Sequence, residues 1–444
     1  MKEVEMKKIN EPSREIPITN ETSVLVVGGG AAGLSAAIAA RRMGCDVTLI
    51  EKYGFLGGTL TSVTLGSFCG IFTVTEDSIK PVVKGFQEEI IERLKMYNGV
   101  SEAKRWLKTA SVPYDTTSFK RVADELVEEA GVQILYHTLA VSVIKEHNQV
   151  KGVIIENKNG RSAIMADVII DASGDGDIIS MAGGEYSVGD NGITQFPSSM
   201  FRMVNVNTEK LSSLSREEVT EYFQKAVNDG YPLPRVAGGI HLNPIDHVVH
   251  LNVTKVSNEG EVPINPLDTS QLTYAEMEGR KQVFLYERVL QKYVPGFEKA
   301  RVIDIGPSIG IREARLIKGD YTLTSDDVLS CRKFEDAIAC GAWPVEMHDS
   351  GNKTRWVWIE PGNFYTIPYQ SLIPARLENV LMAGRNISAT HEAQASVRVS
   401  AICMAMGQAA GIAAYLALSQ ENQVRHISVE KLQKLLLDNN AFLP

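Results

Sequence analysis

The chain has 444 residues, 44% of them apolar and 22% charged, with a formal net charge of −9. That length predicts two interwoven domains with enough apolar material to bury both cores. The acidic balance, with no Lys- or Arg-rich run, argues against nucleic acid and anionic membrane as partners, because phosphate binding needs a concentrated basic face. Cys45, Cys69, Cys331, Cys340 and Cys403 are scattered without a CxxC pair, so neither a metal site nor dithiol chemistry is expected. Residues 1–19 are polar and read as a flexible lead-in, with Arg14 to Thr19 a candidate short strand. No apolar run of export-signal length is found there, and the expected location is the cytoplasm.

From Val24 the chain runs Val-Leu-Val-Val-Gly28-Gly-Gly30-Ala31-Ala32-Gly33 into an Ala-rich segment ending at Ala40, then Val47-Thr-Leu-Ile-Glu51. This predicts a buried parallel strand, a tight turn, a closely packed helix and a second strand. Gly28 permits the turn, Gly30 lets backbone approach a pyrophosphate, and Gly33 lets helix and strand pack. The helix N-terminus supplies N–H groups and dipole to negative charge. Glu51, eighteen residues after Gly33, is placed to accept from ribose hydroxyls of an adenosine. The glycines, with Arg41, Arg42 and Glu51 close by, favour a βαβ unit over a membrane span. After Glu51 comes Lys52-Tyr-Gly54-Phe-Leu-Gly57-Gly58-Thr59-Leu60-Thr61, a second Gly-rich loop where an NAD domain continues into a crossover helix.

At this point the chain resembles the FAD-dependent oxidoreductases of the glutathione-reductase type, in particular the branch with fumarate reductase flavoproteins, geranylgeranyl reductases, thiazole synthases and the heterodisulfide reductase flavin subunit. The resemblance spans residues 20–440 and its middle is most similar to an uncharacterised bacterial branch. It implies an α/β fold: a three-layer, Rossmann-like FAD/NAD(P)-binding domain with a central parallel sheet, and an inserted mixed α+β substrate domain. The expected division is 20–185 with 360–419 for the FAD domain, 186–359 for the substrate domain and 420–444 for a C-terminal docking helix.

Further along, Ile79 to Met96 and Ser118 to Ala130 have helical apolar spacing, the second with Ser118 as N-cap and Gly131 as stop. Strands follow over Val132 to Tyr136 and His137 to Ile144, then a hairpin turning at Lys158-Asn159-Gly160. The strand Ala166 to Ile170 ends in Asp171-Ala172-Ser173-Gly174-Asp175, which resembles the family's Ala-Thr-Gly loop beside the pyrophosphate, with Ser173 for Thr. Beyond it, strands near Met200 to Val206 and His247 to Val256 and a helix over Tyr274 to Tyr293, capped near Thr269 or Ser270, mark the second domain. Gly306-Pro-Ser-Ile-Gly310-Ile-Arg312 imitates a second strand–Gly–helix unit, but its spacing and proline argue against an NAD(P)H domain. By the resemblance, Asn379 to Asn386 is a strand returning to the first sheet; it comes before a helix over Ser400 to Leu418 and a tail helix after His426.

The resemblance implies FAD against Gly28, Gly30, Ala31, Ala32, Gly33, Glu51, Lys52, Gly57, Gly58, Thr59 and Leu60. Ala140 and Val141 would contact adenine, and Ala172, Ser173, Gly174 and Asp175 would flank the phosphates. Gly384 and Arg385 would lie near the phosphate and ribityl region, and Ser396 and Val397 would also bind the cofactor. The implied reaction is hydride transfer between a small organic substrate and flavin N5. His391 is the first candidate for moving the substrate proton, Arg398 for stabilising reduced flavin or a carboxylate, and Arg312 for anchoring an anionic or carbonyl substrate. Three other readings remain open: a flavin monooxygenase, a non-redox FAD or NAD-adduct protein, and a subunit passing electrons to a partner protein. A small-molecule substrate, a redox partner and self-association are the expected partners.

Overall fold

Strand β1 (Ile18–Val27) is longer than its apolar run suggests. In this computed structural model, which describes residues 8–259, 261–348, 351, 354–419 and 423–444, its polar first half is held from Ile18 onward beside Ala163 to Ala166. Residues 1–7 of the lead-in lie outside the described residues. Helix α1 (Ala31–Arg42) crosses from β1 to strand β2 (Val47–Ile50), and β2 pairs in parallel with both β1 and strand β3 (Gln133–Leu135). Strands β4 (Leu139–Glu146), β5 (Gln149–Asn157) and β6 (Gly160–Asp171) form an antiparallel meander whose hairpin closes Asn157 on Gly160. β6 runs parallel to β1, and its far edge is divided. Gly160 to Met165 pair with β5, and Ile169 to Asp171 pair with strand β7 (Val380–Met382). The sheet order is β3-β2-β1-β6-β5-β4, with β7 on β6, so sequence more than 200 residues distant completes the sheet beside β1's Gly-rich turn. Here the predicted returning strand is found, and the central sheet is mixed rather than wholly parallel.

Helix α2 (Ser400–Leu418) is the partner of α1. A Cβ on Gly407 would lie 2.1 Å from the Ala32 carbonyl oxygen, and one on Gly411 2.3 Å from that of Ala36. The Ser35 hydroxyl donates to Met404 O at 2.7 Å. This helix is long and apolar enough to cross a membrane, yet 83% of its most apolar window is buried in the protein, which is the behaviour of a core helix. The core around it joins Val24, Leu34, Val168 and Ile170 to Met404 and Ala413, and also takes in Ile338, Trp343, Tyr365 and Leu372.

Two helix starts differ from expectation. The helical spacing from Ile79 is realised only over Phe86–Lys95, because Ile79–Pro81 pairs as a strand and Gly85 turns the chain at φ +77°. The next helix, Thr116–Ala130, is capped by Asp115, which accepts from Ser118 N at 2.7 Å, so Ser118 occupies the third helical position. Its stop is Gly131, left-handed at φ +74° as expected.

The second sheet is antiparallel, in the order Gly239–Leu242, Val249–Asn252, Phe201–Val204, Arg301–Ile305. The helix Thr269–Tyr293, capped by Asp268, covers it through Val283, Tyr286 and Leu290 over Phe201 and Leu251. No helix follows Gly306 to Arg312; instead Ser308 N donates to Ser62 O, and a Cβ on Gly306 would meet Val63 O at 2.7 Å. Arg202 bridges the two sheets' surroundings, donating to Asp115 at 2.7 Å and to Asp304 at 3.0 Å. These contacts hold the second sheet over the mouth of the first.

Candidate active site

One cavity of about 470 Å³ runs between the glycine loops and the second sheet. At its first end, Gly28 (φ +100°) makes the turn, and a Cβ on Gly33 would lie 1.8 Å from Gly28 O, so that glycine is required by contact of helix with strand. Gly30 is different. A Cβ there meets only Gly58 Cα at 3.8 Å, and the space beside it belongs to the cavity. Gly30 is the N-cap of α1 and offers no side-chain cap, so the first-turn N–H groups are left for a ligand. The second glycine loop is tied to the first by Gly57 N donating to Gly29 O at 2.8 Å. Glu51 lines the wall while its Oε2 accepts from Gly29 N (2.7 Å) and its Oε1 from Tyr53 N (2.9 Å). Those bonds fix the carboxylate and leave lone pairs for a diol.

Ala172, Ser173, Gly174 and Asp175 leave β6 along the same wall. The Ser173 hydroxyl is committed to the loop itself, donating to Asp171 Oδ1 at 2.6 Å and accepting from Asp177 N at 3.0 Å. Asp171 is fully buried, and that burial pushes its carboxyl up to about 6 against the hydrogen bonds from Ser173 and Ile179. Arg385, on the turn after β7, donates to Asp175 at 2.6 Å and keeps a buried Nη1 with no partner. An uncapped helix N-terminus, a glycine cradle and a guanidinium with spare donors are what a pyrophosphate needs. These residues fit FAD.

The far end is aromatic and charged. Trp106, Trp343 and Trp356 contribute to its wall, with ring centroids 5.4 to 6.3 Å apart. Arg235, Arg312 and Arg398 line it together with Glu346, His348, His241 and His250. Glu346 and His348 are spaced i, i+2 about the strand Val345–Met347, and His348 Nε2 lies 3.1 Å from Glu346 Oε1. Burial opposes ionisation of Glu346, but that hydrogen bond and the fields of Arg398 and Arg312 prevail and hold it down to about 2. Burial, reinforced by Arg312, lowers His348 to about 3, so the pair is carboxylate and neutral imidazole at pH 7. His250 and His241 are pushed down by burial to about 3 and about 4 and are neutral as well. Cys69 also lines the wall, with a thiol pushed up by burial.

The structure separates the sequence candidates. Gly28, Gly30, Ala31, Ala32, Glu51, Lys52, Gly58, Thr59, Ala140, Ala172, Ser173, Gly174, Asp175, Gly384 and Arg385 all face the cavity, as do Arg312 and Arg398. Gly33 and Gly57 act one layer behind it through the backbone contacts above. Leu60 is core, Val397 is fully buried, and the Ser396 hydroxyl donates to Trp343 O at 2.5 Å, so these three are packing residues outside the wall. His391 is likewise not in the wall. It begins the helix His391–Val397 and sets Nδ1 2.7 Å from Oε1 of buried Glu313. Arg312 pairs with neither Glu313 nor Asp304, and its Nη1 donates to Phe196 O at 2.6 Å. Arg235, Glu346, His348 and the tryptophan wall were absent from the sequence candidates. Alternating Glu346 and His348 in an apolar strand was the one available signal.

Among curated proteins, digeranylgeranylglycerophospholipid reductases of Thermoplasma volcanium and Methanoculleus marisnigri are 28% and 30% identical over 158 and 160 residues, or 34% and 35% of this chain. Each match covers 39% of the relative's own length. A geranylgeranyl bacteriochlorophyll reductase-like protein of Thermoplasma acidophilum superposes with a TM-score of 0.48 at 15% identity, over 94% of this chain and 84% of that one. For p-nitrophenol 4-monooxygenase of Pseudomonas putida the values are 0.47, 11%, 95% and 85%. Scores below 0.5 do not demonstrate a common fold. The family model described as FAD dependent oxidoreductase, however, matches residues 23–436 and so takes in both sheets, both glycine loops and α2. The chain belongs to the FAD dependent oxidoreductase family, and FAD is its cofactor.

Proposed function

We propose that this protein is an enzyme that moves a hydride between a small organic substrate and flavin N5. The observation that supports this most is the continuity of one cavity from a phosphate-fitted end, at Gly30 and Arg385, to an aromatic, charged end at Trp343 and Arg312. Gly30, Ala31, Gly58, Ser173 and Arg385 would hold the pyrophosphate, and Glu51 the adenosine ribose. When bound, the flavin supplies two-electron chemistry. Arg398 holds positive charge beside Ser400 and Cys403 in the wall, where it would favour the charge that flavin reduction develops. Glu346 and His348 share a hydrogen across 3.1 Å, and this pair of carboxylate and neutral imidazole would orient a substrate by hydrogen bonding rather than store its proton. His391 is withdrawn from handling that proton by its turn toward Glu313.

The test is an anaerobic screen of the purified yellow protein against hydroxy acids, polyols, amines and enoates, following the flavin band at about 450 nm. Bleaching by a donor, or reoxidation of chemically reduced protein by an acceptor, is the expected result. A band that no compound bleaches or restores would remove the enzymatic reading.

A further inference from the structure

The far end of the cavity carries more buried positive charge than the protein neutralises. Arg235 and Arg312 are only 7% and 6% exposed, and Arg398 is partly buried beside them. Arg235 Nη2 donates to Thr354 Oγ1 at 3.2 Å, while its Nη1 is buried without a partner. Arg312 bonds the Phe196 carbonyl and, at 3.4 Å, Asn252 Oδ1. Arg398 reaches Gln195 Oε1 at 3.4 Å and the Glu346 carbonyl at 3.5 Å, and its buried Nε has no partner. Among the described residues, none of the three has a carboxylate within ion-pair distance.

The acid whose field reaches all three, Glu346, is already used. Glu346 Oε1 takes His348 and its Oε2 takes Trp343 Nε1 at 3.1 Å. Three guanidinium groups therefore share the field of Glu346, with Glu313, already engaged by His391, acting on Arg398 as well, and the histidines around them are neutral. An uncompensated buried cation costs several kcal/mol, so this arrangement is intelligible as half of an ion pair whose other half is a ligand. That ligand is not the cofactor's phosphate. The phosphate-fitted groups belong to α1, β6 and the turn after β7, whereas Arg235 and Arg312 are anchored on Thr354, Phe196 and Asn252.

We propose that the far end binds a small organic carboxylate, with the carboxylate held by Arg235 and Arg312 and a flat apolar body laid against Trp106, Trp343 and Trp356. The guanidinium fork matches a carboxylate in two parallel bonds, and indole faces suit a planar body. The use of this anion as redox substrate rests on the function proposed above; its binding does not.

Phenylacetate, phenylacetamide and phenyl phosphate are the probes, titrated into the FAD-loaded protein while tryptophan fluorescence and the flavin band are followed. Three of the chain's four tryptophans line the site, so fluorescence reports it directly. Phenylacetate should bind at least tenfold more tightly than the amide, and Arg235→Met and Arg312→Met should each erase that preference with FAD content unchanged. Equal affinity for acid and amide, tighter binding of the phosphate, or an undiminished preference in folded variants would overturn the proposal. The comparison on the natural protein decides the matter even where a variant fails to fold. A colourless protein that still prefers the acid would remove the redox reading alone, and a redox-active one indifferent to the acid would remove this inference alone.

Discussion

Gly30 and Gly33 are three residues apart in one motif and are glycine for opposite reasons. At Gly33 a side chain would strike backbone at 1.8 Å; at Gly30 it would enter open space that the cofactor needs. Spacing alone made both legible, since turn, approach and packing are local backbone requirements. The charged end was legible only in part. Arg312 and Arg398 were recognisable as candidates, but Arg235, on a loop before Gly239, meets Glu346 and His348 only in space, and the alternation of those two was the one local trace of the pocket. His391 lies outside the cavity wall beside Glu313, a placement the sequence could not give because it shows a histidine without showing which way its ring turns. Glu346 gives a prediction at this scale. Its carboxyl, held at about 2 in the fold against the usual 4.5, contributes stability that is fully present above about pH 4.5 and is lost as pH falls toward about 2. In urea denaturation, the advantage of natural protein over Glu346→Gln should shrink by on the order of 3 kcal/mol across that window. A pH-independent difference would contradict the assignment of that charge.

Among the elements, the pairing of α1 with α2 positions everything at the phosphate end. Gly407 and Gly411 bring α2 against the carbonyls of Ala32 and Ala36, and the i, i+4 spacing of two glycines in an apolar helix is visible in the sequence. Gly407→Val would drive a branched side chain into the Ala32 carbonyl, 2.1 Å from its Cβ. It should cost about 3 kcal/mol or more in denaturant unfolding and take flavin binding with it, because Ala32 lies in the first turn that faces the cavity. A stable variant with full flavin content would show that the helices do not need this contact. The element boundaries that went astray have local causes: strand pairing around Pro81 shortened one helix, and Asp115 rather than Ser118 supplied the cap of the next. Apolar periodicity is blind to both.

On the scale of the whole molecule, the first sheet and the second divide the work. The first binds a nucleotide through backbone, which a short motif can encode. The second, tied to it through Arg202, Gly306 and Ser308, contributes His241, His250 and Asn252 to the other end of the cavity, whose arginines and tryptophans come from several further segments that no single motif encodes. Fold class and cofactor were therefore readable from sequence, while the charged pocket had to be assembled in space. The central claim is that FAD lies along the cavity with its phosphates at the N-terminus of α1. It is tested most directly by titrating flavin-free protein with FAD, for the natural chain and for Gly30→Val, whose Cβ the fold accommodates. The account predicts one FAD per natural chain and a folded Gly30→Val that takes none; equal FAD binding by the two proteins would contradict it.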